Sequence, residues 1–141
     1  MTVKIVGHWE LSWRTPIEEF DSWIHPLREF GHESFYMCPV SGIGIAKQRV
    51  LERASIDDVF EENPDLTRVF IDEGATDSLV NFIHPTDAIY VIGKTSYSPY
   101  ITHFREGIDQ CVKIPTVTNG GGFWGDHAIT MILYDRFSKG Q

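Results

Sequence analysis

Positive charge is what this chain is short of. Its 12 lysines and arginines stand against 20 aspartates and glutamates, for a formal net charge of −8. Phosphate backbones attract lysine and arginine, so a chain this acidic gains no general electrostatic affinity for nucleic acid. An RNA or DNA substrate would need a local basic patch or a second protein to supply the attraction. Cysteine is scarce as well. Cys38 and Cys111, the only two, lie among apolar residues, which reads as reduced, buried thiols in a cytoplasmic protein. No CxxC, HExxH or other close ligand spacing occurs among the cysteines and six histidines, so no metal site is expected. No apolar run approaches the ~20 residues needed to cross a bilayer. No signal-peptide pattern precedes the first strand, and no membrane association is expected.

What is present suits a globular domain. The 141 residues, 42% hydrophobic and 23% charged, are enough for one domain, residues 1–141, with a sizeable core. Val3 to Val6 reads as a first strand that reaches toward Trp9. Thr15-Pro16-Ile17-Glu18 announces a helix: Thr15 caps it, Pro16 suits the first helical position, and Glu18 completes a capping box. Ile17, Phe20, Trp23, Ile24, Leu27 and Phe30 recur at helical spacing, Pro26 should kink or divide the helix, and Gly31 closes it. Ser34 to Val40 reads as a second strand. Ser41-Gly42-Ile43-Gly44 is a turn, with two glycines but no Lys-Ser/Thr to make it a phosphate loop. A short helix over Ile56–Glu62, capped by Ser55, leads to a third strand at Thr67–Ile71. Asp77–Ile83 and Pro99–Glu106 read as short helices flanking a fourth strand, Ala88–Ile92. Strands alternating with helices predict an α/β fold, a parallel sheet with helices on both faces.

The stretch from Asp87 to Asp135 is the richest. The fourth strand ends at Gly93, and a fifth begins near Val112 and stops at Ile114-Pro115-Thr116. Asn119-Gly120-Gly121-Gly122 then opens into an apolar helix from near Trp124. Two strand ends and a glycine loop meeting one helix start make a pocket of backbone groups, in the crevice where open α/β sheets bind ligands. Taken alone, Gly93 reads equally as a turn glycine, Pro115 as a strand stop, and the glycine run as a connector.

In this half the chain resembles the SPOUT class of RNA methyltransferases, the α/β-knot proteins, and especially the branch that methylates the ribose 2′-hydroxyl. The residues that carry the resemblance are His84-Pro85-Thr86-Asp87-Ala88-Ile89-Tyr90-Val91-Ile92-Gly93, then Val112-Lys113-Ile114-Pro115-Thr116, then Asp126-His127-Ala128-Ile129-Thr130-Met131-Ile132-Leu133-Tyr134-Asp135-Arg136. The resemblance implies a C-terminal trefoil knot, a homodimer built on the terminal helix, and S-adenosylmethionine bent within the knot. Its implied contacts are Asp72, Glu73 and Gly74 after the third strand, and Ile92, Gly93 and Lys94 after the fourth. Ile114, Gly121, Gly122, Phe123 and Ala128 complete the set. It also implies an RNA substrate, tRNA or rRNA.

The chain departs from the family pattern at three places. Gly93-Lys94-Thr95-Ser96-Tyr97-Ser98 lacks a glutamate and a second glycine, and Gly122-Phe123-Trp124 replaces Ser-Leu-Asn. The Asn and Arg of the N-terminal motif have no clear counterpart. A ribose hydroxyl is a poor nucleophile near neutral pH and wants a base or an electropositive neighbour. Arg14, Glu18 and His25 are the candidates, Arg14 foremost as catalytic residue, although a solvated loop arginine and a core histidine are the plainer readings. Trp9, Trp13, Phe123 and Trp124 are either stacking surfaces for unpaired bases or packing residues. Two alternatives stay open here: a knotted module that binds S-adenosylmethionine without transferring methyl groups, and an unknotted Rossmann-like domain for another nucleotide.

Overall fold

The computed structural model describes residues 1–9, 15–42, 49–94, 96–118 and 123–141. The elements run β1 (Thr2–His8), α1 (Pro16–Glu29), β2 (Phe35–Cys38), β3 (Val50–Glu52), α2 (Ile56–Glu62) and β4 (Thr67–Ile71). They continue with a 3-10 turn at Leu79–Asn81, β5 (Asp87–Ile92), α3 (Pro99–His103), β6 (Gln110–Val112) and α4 (Gly125–Ser138). All six strands join one sheet in the order β3-β2-β1-β5-β4-β6. Every pairing is parallel.

Strand alternation explains why both faces are covered. In β5, Ala88, Tyr90 and Ile92 point to one hydrophobic cluster, while Ile89 and Val91 point to the other. β1 divides the same way at Ile5 and Val6, and β4 at Val69 and Phe70. Side chains of a strand alternate sides, so a strand apolar at every position needs a helical layer on each face. Trp23, Ile24 and Leu27 of α1 and Ile129, Ile132 and Leu133 of α4 supply one layer. Ile56, Val59 and Phe60 of α2, with Tyr100 of α3, supply the other. No helix among the described residues is long and apolar enough to cross a membrane.

The departures from expectation have local causes. β3, which the sequence reading did not single out, is three residues long and sits at the sheet edge beside β2. The last strand ends at Val112 where it was expected to begin. Beyond it, Lys113 leaves β4 and pairs with the preceding loop, donating its N–H to Asp77 O and accepting from Leu79 N–H, both at 2.9 Å. That pairing also limits the helix expected over Asp77–Ile83 to a single 3-10 turn. α1 runs through Pro26 as one helix. The proline removes one helix hydrogen bond, and burial of Trp23, Ile24 and Leu27 against the sheet holds the turns on either side of it. The turn proposed at Ser41–Gly44 lies partly outside the described residues.

Candidate functional site

The carboxyl ends of β1, β4 and β5, the segment after β6 and the start of α4 close around one cavity of about 400 Å³. That volume falls within the roughly 300–1,000 Å³ usual for small-molecule sites. Parallel strands all present their carboxyl ends on the same side, and β5 returns to lie between β1 and β4. The crevice is therefore where the strand order reverses, the place where α/β sheets hold ligands.

Of the residues implicated from the sequence, Asp72, Glu73, Ile92, Gly93, Lys94, Ile114, Phe123 and Ala128 line this cavity. Gly74 does not line it, and donates its N–H to Asp72 Oδ2 at 2.9 Å. Gly121, Gly122 and Arg14 lie outside the described residues, as does Trp13. Asp72 also accepts from Ser98 Oγ at 2.6 Å, so one carboxylate ties the loop after β4 to the turn after β5. That turn is closed by reciprocal backbone bonds between Lys94 and Tyr97, at 2.9 and 3.0 Å. A Cβ on Gly93 would lie 2.3 Å from Tyr97 O and 2.6 Å from Pro99 Cδ. The close approach that demands glycine there comes from this turn.

The cavity brings in residues that sequence reasoning passed over. His8, the last residue of β1, and Glu19, in the first turns of α1, both line it and both are buried. Glu19 Oε1 accepts from Trp23 Nε1 at 3.1 Å. His8 Nδ1 lies 2.9 Å from the carbonyl oxygen of Ile92, and its ring packs edge-on against Tyr97 at 4.8 Å. Burial lowers the His8 pKa, the Ile92 hydrogen bond opposes that, and Lys94 and His103 lower it further. One signal for His8 was available: a polar residue closing an apolar strand on the side where the other strand ends gather. Glu19 carried no such signal, since an acid in a first helical turn serves the helix dipole equally well.

Other candidates fall elsewhere. Trp9 is 2% exposed and belongs to the core, which leaves it no face for a base. Glu18 is exposed and closes the capping box, its N–H donating to Thr15 Oγ1 at 3.2 Å. His25 is exposed on α1, because it points away from the face carrying Trp23 and Leu27, so the core-histidine reading does not hold. Phe123 and Trp124, 42% and 38% exposed, stand at the cavity mouth, and Trp124 stacks on His127 with ring planes 3° apart. Among the described residues no cluster of three metal-ligating side chains occurs.

Electrostatically the walls are acidic. Among the described residues the charged side chains lining the cavity are Glu19, Asp72 and Glu73 with one lysine, Lys94. The first turn of α4 already carries the buried carboxylate of Asp126, which offsets the pull of that helix start on an anion.

No protein-family model matches the sequence, and no curated protein matches it. Solved structures do. The SpoU methyltransferase AviRb from Streptomyces viridochromogenes, in complex with AdoMet (S-adenosylmethionine), aligns with a TM-score of 0.70 at 16% identity, over 98% of this chain and 57% of that one. An RNA 2′-O ribose methyltransferase gives 0.70 at 13% identity, over 97% of this chain and 56% of that one. A candidate RNA methyltransferase from Bacillus anthracis gives 0.67 at 12% identity, over 97% of this chain and 93% of that one. The chain shares the backbone fold of these structures. At these identities the likeness speaks for backbone architecture alone. The chain spans little more than half the length of the first two proteins and most of the third. Within this shared fold the cavity occupies the crevice at the carboxyl ends of β1, β4 and β5.

Proposed function

We propose that this chain is an S-adenosylmethionine-dependent RNA methyltransferase of the SPOUT class, acting on a ribose 2′-hydroxyl of tRNA or rRNA. The observation that carries the reading is the meeting of the β1, β4 and β5 ends, the segment after β6 and the α4 start around a cavity whose walls, among the described residues, hold three carboxylates and one lysine. S-adenosylmethionine bears a sulfonium and no phosphate, so its net charge suits Glu19, Asp72 and Glu73. A nucleoside polyphosphate would set its charge against all three, with Lys94 as the one lysine or arginine on the walls among the described residues. This argues against the unknotted nucleotide-binding alternative.

In this reading Ile92, Ile114 and Ala128 give the adenine its apolar contacts, and main chain near Gly93 and Ile114 its hydrogen bonds. The carboxylates supply the field that favours the sulfonium. When bound, the cofactor supplies a methyl group on a good leaving group, so the protein's task is largely alignment and proton removal. Phe123 and Trp124 at the mouth offer faces for an unpaired base. Residues 1–141 act as one knotted domain, α4 having passed through the preceding loop. Two copies pair through α4, where Tyr134 and Phe137 are 60% and 72% exposed.

Calorimetric titration with S-adenosylmethionine, and with ATP as the contrasting nucleotide, tests the first step. Saturable binding of the former and none of the latter is expected, with Asp72→Asn weakening the affinity as it frees the turn after β5. No heat of binding at millimolar S-adenosylmethionine overturns the proposal. The missing family glutamate in Gly93-Lys94-Thr95-Ser96 favours a second reading, a module that binds without transferring. Tritium transferred from labelled cofactor to a total RNA pool excludes it.

A further inference from the structure

We propose that His8 is the general base of this site, taking the proton of the attacking hydroxyl at Nε2, an inference that rests on the methyltransferase reading. The argument starts from one hydrogen bond. The ring nitrogen Nδ1 faces the carbonyl oxygen of Ile92 at 2.9 Å, and a carbonyl oxygen only accepts. Nδ1 therefore carries the hydrogen, and the lone pair of the neutral ring is on Nε2. Among the described residues no other hydrogen bond reaches this ring, and His8 forms part of the cavity wall.

The molecule contains its own contrast. His84 is equally buried, but both of its nitrogens are engaged, Nδ1 by the Tyr90 hydroxyl and Nε2 by Asp135, each at 2.7 Å. That is how a histidine is held when its role is to tie elements together. His8 is anchored through one nitrogen and clamped by the Tyr97 ring, with the other left for the cavity, the arrangement a positioned base requires. The charged and titratable groups around it are Lys94 from the β5 end, His103 from α3, Tyr97 from the following turn, Glu19 from α1, and Asp72 and Glu73 from the β4 end. Burial, helped by Lys94 and His103, keeps the ring neutral at physiological pH against the pull of the Ile92 carbonyl.

The bookkeeping of the step is simple. The hydroxyl oxygen bonds to the methyl carbon as that carbon's bond to sulfur breaks, and the electron pair stays on sulfur. The hydroxyl proton passes to Nε2, and the imidazolium later returns it to solvent.

His8→Asn is the informative variant, because its amide nitrogen can still donate to Ile92 O while the Nε2 lone pair is gone. Nitrogen-15 NMR of the wild-type protein should show Nε2 unprotonated at neutral pH and titrating below the ordinary histidine value. His8→Asn should bind S-adenosylmethionine as the wild type does by calorimetry. It should transfer tritiated methyl to a total RNA pool about 10²–10⁴-fold more slowly and lose the acid-side inflection of the rate profile. A proton found on Nε2 at neutral pH overturns the proposal even if the variant fails to fold. So does a variant with wild-type rate and pH profile, which leaves the methyltransferase reading standing. A wild-type protein that does not bind the cofactor, or binds it and transfers nothing, removes both.

Discussion

The Tyr90 hydroxyl accepts from Arg136 Nη1 at 3.0 Å and directs its own hydrogen to His84 Nδ1 at 2.7 Å, while His84 Nε2–H donates to Asp135. This assignment gives every group in the chain one role, with Nδ1 of a neutral His84 as the acceptor, in line with the burial that lowers its pKa against the opposing pull of Asp135. Arg136 also donates to the Pro85 and Thr86 carbonyls, so the network fastens the end of α4 to the segment before β5. Tyr90→Phe removes the shared hydroxyl and leaves two buried polar groups short of a partner. We expect it to cost roughly 1–3 kcal/mol, read from urea unfolding. At this scale the sequence is legible only where partners are close along the chain. Thr15 and Glu18, three residues apart, announce their capping box. His8 and Ile92 lie 84 residues apart, and no local pattern announces their pairing.

Among the elements, α1 shows how far periodicity carries. Trp23, Ile24 and Leu27 are buried as their spacing predicts, whereas Ile17 is 61% exposed and Glu19 only 1%. The first turns of α1 extend past the sheet to the cavity, so their burial follows the site and not the apolar stripe. α4 presents the opposite case: Ala128, Ile129, Ile132 and Leu133 bury an apolar stripe bounded by the buried Asp126 and Arg136, and part of its free face is apolar too. Tyr134 and Phe137 lie near one another at 6.5 Å, and Phe137 meets Phe30 at 6.4 Å. An apolar patch of this kind on a helix that already packs on its sheet is suited to a second copy. Phe137→Asp should convert a dimer to a monomer in sedimentation equilibrium with circular dichroism unchanged, and a wild-type monomer at high concentration would refute the pairing.

For the whole molecule, pH dependence follows from histidines. Burial lowers the pKa of His8, His32 and His84 alike. Below the ordinary histidine value of about 6.5 the unfolded chain takes up protons that the folded chain resists. The unfolded state then binds more protons, and stability rises with pH through that window. The melting temperature should be lower at about pH 5.5 than at about pH 7.5, and replacing His84 by Gln should flatten part of the difference. A melting temperature that is constant or falls with rising pH would contradict this assignment. The parallel sheet with two helical layers was decided by the amino-acid sequence itself, because β1, β4 and β5 are apolar at successive positions and period-two alternation leaves neither face fit for water. So were the helix caps and the acidic balance, which are properties of neighbouring residues and of composition. Only the tertiary structure decided that β5 lies between β1 and β4, that His8 and Glu19 join the strand-end residues at one cavity, and that Gly93 answers to Tyr97 and Pro99. Strand order and side-chain meeting across the sheet depend on pairing between segments far apart along the chain, and no local pattern encodes which segment will be the neighbour.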